Sequence, residues 1–129
     1  MIKKLDPAFR LPCYKTIKKN LGIGYQSTFQ AIKELISTSC KNAAITTDLW
    51  TSCAKDGYLG ITCHWLNDEM KLYDILICIE PIKYPHTGDH IREIIISKIT
   101  SLGLNDKVKV VVTDSGSNMV KAIREWEGN

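Results

Sequence analysis

Two short polar runs interrupt an otherwise apolar pattern, and each carries an aspartate: TTDLWTS over residues 46–52 and VTDSGSNMVKA over residues 112–122. In both, the aspartate (Asp48 or Asp114) falls where a strand-like stretch runs out, and Ser, Thr, Gly or Asn residues follow it. In mixed and parallel sheets, ligand sites lie beyond these carboxyl ends. Parallel neighbouring strands would bring the two ends to about 4.8 Å. Carboxylates that close repel unless a proton or cation lies between them. An oxygen-seeking divalent ion such as Mg²⁺ suits the pair, bridging carboxylates, water and a substrate phosphate. Two such ions about 3.5–4 Å apart form the clamp of in-line phosphoryl transfer. The same residues also read as turn aspartates whose side chains cap nearby backbone N–H groups, and spacing alone leaves both readings open.

Other chemistries find less support. Five cysteines (Cys13, Cys40, Cys53, Cys63, Cys78) form no C-x-x-C pair and have no histidine at finger spacing, which argues against zinc. They read as reduced, buried thiols in a reducing compartment. Ser115 and Ser117 have no histidine and base to activate them. The Asp-Ser-Gly-Ser-Asn loop entering a helix could cradle a phosphate on its N–H groups, yet no Walker or GxGxxG pattern accompanies it. Gly116 is expected to supply a positive φ in that turn. His64 reads as a surface or satisfied imidazole rather than a base, and His86 as a helix-entry capping residue.

The elements that must position the aspartates follow from periodicity. Residues 1–24, broken by Pro7, Pro12, Gly22 and Gly24, read as a basic, extended lead-in. Tyr25, Phe29, Ile32, Leu35 and Ile36 recur at helical spacing and predict a helix over 25–38. A short strand over 43–48 ends at Asp48. Leu59, Ile61, Cys63 and Trp65 alternate with Gly60, Thr62 and His64, a half-buried strand. A turn at Asn67–Asp68–Glu69 leads into a longer strand over 70–79, which makes an antiparallel hairpin. Pro81 and Pro85 end that strand, and Thr87 is a candidate N-cap. Ile91, Ile94, Ile95, Ile99 and Leu102 mark a helix face closed by Gly103. Residues 108–113 are β-branched and predict a strand covered on both faces. Ser117 or Asn118 caps a last helix with Met119, Ala122, Ile123 and Trp126 turned inward. A helical crossover of this length lets the fourth strand run parallel to an earlier one.

Length and composition bound the rest. At 129 residues and 14.5 kDa the chain suffices for one domain. With 44% hydrophobic and 24% charged residues it falls near globular averages, which excludes the disordered and fibrous classes. No apolar stretch approaches the ~20 residues of a membrane span, and the N-terminus has no signal-peptide core, so a soluble intracellular protein is expected. The net charge of +3 divides unevenly: residues 1–20 carry six bases against the single acid Asp6. Lys15, Lys18 and Lys19 in this basic head are candidate contacts to a phosphate backbone. The alternative is a solvated leader that aids solubility.

In order along the chain, TTDLWTS, YLGITCHWL, the HTGDHI helix start and VVTDSGSNMVKAI resemble the RNase H-like core of hAT-family transposases and their relatives that carry BED zinc fingers. LDPAFRLPCYKTI resembles the segment that precedes this core. The likeness spans nearly the whole chain, and the TTD-x-WTS and VTD-x-GSNM pair is its specific part. It implies an α/β, RNase H-like mixed sheet: three antiparallel strands, a helical crossover, and a fourth strand parallel to the first, incomplete and with an N-terminal helix. Residues 25–129 would be the N-terminal part of that domain. By resemblance Asp48 and Asp114 are the first and second catalytic aspartates of a DDE-type site, jointly binding Mg²⁺ or Mn²⁺ for DNA cleavage and strand transfer. Trp50 matches the family's tryptophan and is expected to pack under the first aspartate's turn.

The family's third acid, a glutamate, lies after a large insertion and a fifth strand. Residue 129 comes before that point, and Glu125 and Glu127 do not match the position. The BED finger and the C-terminal dimerisation region have no counterpart here either. The chain is therefore expected to be a fragment or truncated descendant of a transposase, inactive or nearly so by itself. From a different class comes a non-catalytic DNA- or protein-binding module, with a partner or second copy paired at the open sheet edge. A phosphate-binding regulatory module is a third option. The resemblance implies DNA as partner, no membrane, and nuclear localisation.

Overall fold

A computed structural model describes residues 10–127, with side chains through Arg124. The chain divides into two units, Met1–Ile32 and Lys33–Asn129. Lys3 and Lys4 of the basic head, and the side chain of Trp126, lie outside the described residues.

The first helix, α1 (Tyr14–Ser39), is 26 residues long. Its start corrects the extended reading of residues 14–24. Pro12 stands just outside the helix, and the Cys13 carbonyl accepts the first intrahelical bond, from the Ile17 N–H at 3.0 Å. Gly22 and Gly24 lie inside it without a positive φ. Each costs about 1 kcal/mol relative to alanine, which is too little to stop a helix whose neighbours are Leu, Ile and Tyr. Tyr25 and Phe29, four residues apart, stack with ring centroids at 6.1 Å.

The larger unit is built on a mixed sheet. Its strands are β1 (Ala43–Thr51), β2 (Gly57–Leu66), β3 (Leu72–Ile82) and β4 (Val108–Thr113); α2 (Gly88–Leu102) precedes β4 and α3 (Ser117–Glu127) follows it. The spatial order is β3-β2-β1-β4. β1 pairs antiparallel with β2 and β2 with β3, while β4 runs parallel to β1 as expected. Pro81 does not end β3, which continues to Ile82 opposite Gly57. β3 is an edge strand, where a residue lacking an N–H is tolerated.

One sheet face is the core. Leu59, Ile61, Cys63 and Trp65 of β2 are buried, as their alternation predicts, together with Ala43 and Ile45 of β1. Ile91, Ile95, Ile99 and Leu102 of α2, and Met119 and Ala122 of α3, are buried as well. Each fully buried Ile or Leu contributes roughly 1.5–3 kcal/mol. Ile36, on the last turns of α1, is also in this core. Its carbonyl accepts from Lys107 Nζ at 2.8 Å, a cation placed on a helix C-terminus.

The opposite face is open. Val110 and Val112 of β4 are 52% and 53% exposed, so the expectation that β4 is covered on both faces does not hold. Its β-branched composition encodes a strand; among the described residues only one side receives a covering layer. Leu72, Leu76 and Ile79 of β3 share this exposure.

The crossover helix is firmly ended. Thr87 Oγ1 accepts from the His90 N–H at 3.3 Å. At the other end Gly103 adopts φ 70, with Gly103 N–H bonding to the Thr100 carbonyl and Leu104 N–H to that of Ile99. This double bond pattern is a Schellman closure, which a Cβ would strain.

Candidate metal centre

Asp48 and Asp114 are brought together by the parallel ladder. Its last pair is Thr47 with Thr113, so the two aspartates are the next residues on adjacent strands. Asp48 alternates with Thr47 and therefore lies on the open face, level with Gly60 of β2. Both aspartates are exposed.

Asp114 is partly oriented. Its Oδ1 accepts from the Gly116 N–H at 3.1 Å, an Asx turn that leads into α3. The turn reading and the ligand reading thus meet in one residue, since Oδ2 has no such bond. Gly116 does not have the positive φ expected of it. Its role is room: a Cβ there would come within 3.1 Å of Asp114 Oδ1. Asp48 makes no hydrogen bond or ion pair with the described residues.

The donor set fits a hard cation. Two carboxylates with free oxygens suit Mg²⁺ or Mn²⁺, which keep several waters and need few protein ligands. Among the described residues no group of three or more His, Cys, Asp or Glu could hold a metal, so the pair stands without a third such ligand there. Beneath it, on the covered side, Thr47 is 5% exposed. The Thr47 and Thr113 hydroxyls both lack a hydrogen-bond partner among the described residues.

Trp50 departs from expectation. β1 runs to Thr51, so no turn follows Asp48 for Trp50 to pack under. The indole lies on the open face, 39% exposed, and stacks on Tyr58 with centroids 5.9 Å apart and planes at 22°. It also covers Gly60, where a Cβ would approach the ring to 2.9 Å. Tyr58 escapes the sequence reading because it falls just before the strand start assigned there. Extending the two-residue alternation back from Gly60 would have placed it beside Trp50.

The histidines separate. His64 is satisfied, as expected: Nε2 bonds with Thr62 Oγ1 at 2.9 Å and Nδ1 lies 3.3 Å from Asp74 Oδ1. Thr62 in turn bonds to Thr46, extending the polar chain across three strands. His86 does not cap α2; Thr87 does. The His86 ring instead fills the space above Gly57, where a Cβ would meet Cε1 at 2.4 Å.

All five cysteines are free, but only Cys40 and Cys63 are buried; Cys13 and Cys53 are exposed, against the expectation of buried thiols. Burial pushes the Cys63 thiol up to about 12. The Thr16 side chain, and then its backbone, hydrogen-bond to Cys13 and lower its pKa. Lys15, Lys18 and Lys19 are exposed on the first turns of α1, in the other unit.

Comparison with known proteins gives this geometry a context. The family model described as the ZBED1 RNase-like domain matches residues 46–127. The chain is 26% identical over 108 residues to a protein named "Putative transcriptional regulator tpeD" of Talaromyces stipitatus, covering 84% of this chain and 13% of that one. It is 22% identical over 114 residues to zinc finger BED domain-containing protein RICESLEEPER 2 of Oryza sativa subsp. japonica, covering 88% and 16%. To the "Putative AC transposase" of Zea mays it is 21% identical over 124 residues, covering 96% and 15%. The chain thus spans about one-seventh of the length of these curated relatives.

Proposed function

The chain belongs to the ZBED1 RNase-like domain family, and from that premise we propose that it carries two acids of a metal-dependent DNA-processing site. It is a transposase-derived protein of the hAT type with an RNase H-like α/β fold. The single observation that carries the proposal is the Thr47–Thr113 ladder pair, after which the exposed Asp48 and Asp114 follow side by side, where β4 ends beside β1.

In this reading Asp48 and Asp114 bind Mg²⁺ or Mn²⁺. Gly116 N–H fixes the Asp114 side chain so that its second oxygen is available. A bound ion supplies Lewis-acid polarisation of a DNA phosphodiester. Two acids hold and position such an ion less firmly than three, so this segment alone is proposed to bind metal weakly and to cleave DNA poorly. DNA as partner and a nuclear location are supported by the relatives named as a transposase and as a BED zinc finger protein.

Calorimetric titration with Mg²⁺ tests this. We expect saturable binding that weakens by roughly tenfold or more in Asp48→Asn and in Asp114→Asn, since each change removes half of the anionic ligand set. Titration curves unchanged in both variants would exclude the site.

A second reading is a non-catalytic DNA- or protein-binding module. A sheet face that no described residue covers, and a β4 edge that no described strand pairs, favour it. It predicts salt-sensitive DNA binding that survives both aspartate changes and fails when Lys15, Lys18 and Lys19 are neutralised.

A further inference from the structure

A cavity of about 390 Å³ lies at the end of the β2–β3 pair, where Gly57 stands opposite Ile82. Lys55 and Asp56 from the β1–β2 loop, Tyr58 of β2, Pro81 of β3, and Lys83 and Tyr84 line it. One of its lining rings, Tyr58, stacks on Trp50, whose indole covers Gly60, the residue in register with Asp48. Trp50 is two residues along β1 from Asp48, about 7 Å.

Three features of this cavity point to one ligand. Tyr84 is 88% exposed although aromatic, and it stands against the edge of the His86 ring with centroids 5.8 Å apart at 81°. That ring is itself wedged over Gly57, so the tyrosine has a fixed support. Lys55 and Lys83 flank the opening, and neither has an ion pair with the described residues. Asp56 is the one carboxylate among the lining residues, so the rim is net positive. Aromatic faces for bases, with lysines for the backbone, are what an unpaired strand requires. A duplex keeps its bases stacked on each other and offers these rings nothing.

We propose that this cavity binds an unpaired nucleotide of a DNA strand, stacking its base on Tyr84 and holding its phosphate between Lys55 and Lys83. The proposal rests on the reading that DNA is the partner, and it names which form of DNA the site takes.

The test is fluorescence anisotropy of labelled oligothymidylate, about 12 nucleotides long to span one such groove, against a duplex of the same length. Working in EDTA keeps the result independent of metal binding. Single strand should bind more tightly than duplex. Tyr84→Ala should weaken single-strand binding about tenfold, while Tyr84→Phe, which keeps the ring, should not. The Lys55→Ala/Lys83→Ala pair should weaken it more than Lys41→Ala/Lys109→Ala, an equal charge change at the other end of the sheet. Equal affinity for duplex and single strand, with Tyr84→Ala unaltered, would overturn the inference while leaving DNA as partner. Absence of binding to either form would overturn both.

Discussion

Asp48 and Asp114 owe their nearness to a single ladder position; among the described residues only the Gly116 N–H bonds to either carboxylate. Both were legible in the sequence as polar interruptions at the ends of strand-like runs. Asp114's partner was not: the Gly116 N–H reaches it without any left-handed backbone, so the glycine's role depends on where a carboxylate oxygen lies in space. The cysteines offer a sharper test at this scale. Cys13 is exposed and its pKa is lowered, first by the Thr16 hydroxyl. A lowered pKa means more thiolate at any pH below the usual thiol range, and the thiolate is the reactive form. Alkylation of the native protein near neutral pH, followed by mass spectrometry, should modify Cys13 ahead of the others. Thr16→Ala should slow that reaction. Cys63, pushed up to about 12 and buried, should react only on unfolding. Labelling of Cys63 as fast as Cys13 would contradict the packing described.

Elements were legible where the determining pattern was local. The alternation of β2 placed Leu59, Ile61, Cys63 and Trp65 on one face, and all four are buried. Thr87 and Gly103 announced both ends of α2. What failed was weighing punctuation against context. Gly22 and Gly24 mark turns in many chains, yet here they sit within α1. Pro81 reads as a strand end, but the residue types cannot say that β3 is an edge. The valines of β4 could not reveal that one side stays open, because apolarity is written in the residue and the covering layer is not. Three glycine substitutions exploit the contrast. Nothing lies within 4 Å of a Cβ built at Gly22 or Gly24, so alanine at either should stabilise α1, by about 0.8–1 kcal/mol. At Gly103, with φ 70, alanine should destabilise by about 1–2 kcal/mol. Helix content by circular dichroism and denaturant unfolding would report each sign, and a stabilising Gly103→Ala would refute the Schellman closure.

At the scale of the molecule, the described residues cover one face of the sheet, and the exposed chemistry lies on the other. Asp48, Trp50, Tyr58 and the apolar residues of β3 and β4 share that face, while the helices α2 and α3 contribute to the core on the other. Two proposed functions therefore compete for one surface: a metal-dependent site where β4 ends beside β1, and a docking surface across the strands. Among the described residues no helix is long and apolar enough to cross a membrane. The order of elements was legible because the crossover helix and its parallel strand follow from chain length and handedness. Which acids lie side by side was not, until the register was known. The most direct test is paramagnetic broadening by Mn²⁺ of the amide signals of the isotope-labelled chain. Residues 47–49 and 113–117 should broaden first and together, and Asp48→Asn should abolish the effect at both segments. Broadening centred on other acidic residues, or persisting at 113–117 in that variant, would show that the two aspartates do not form one metal site.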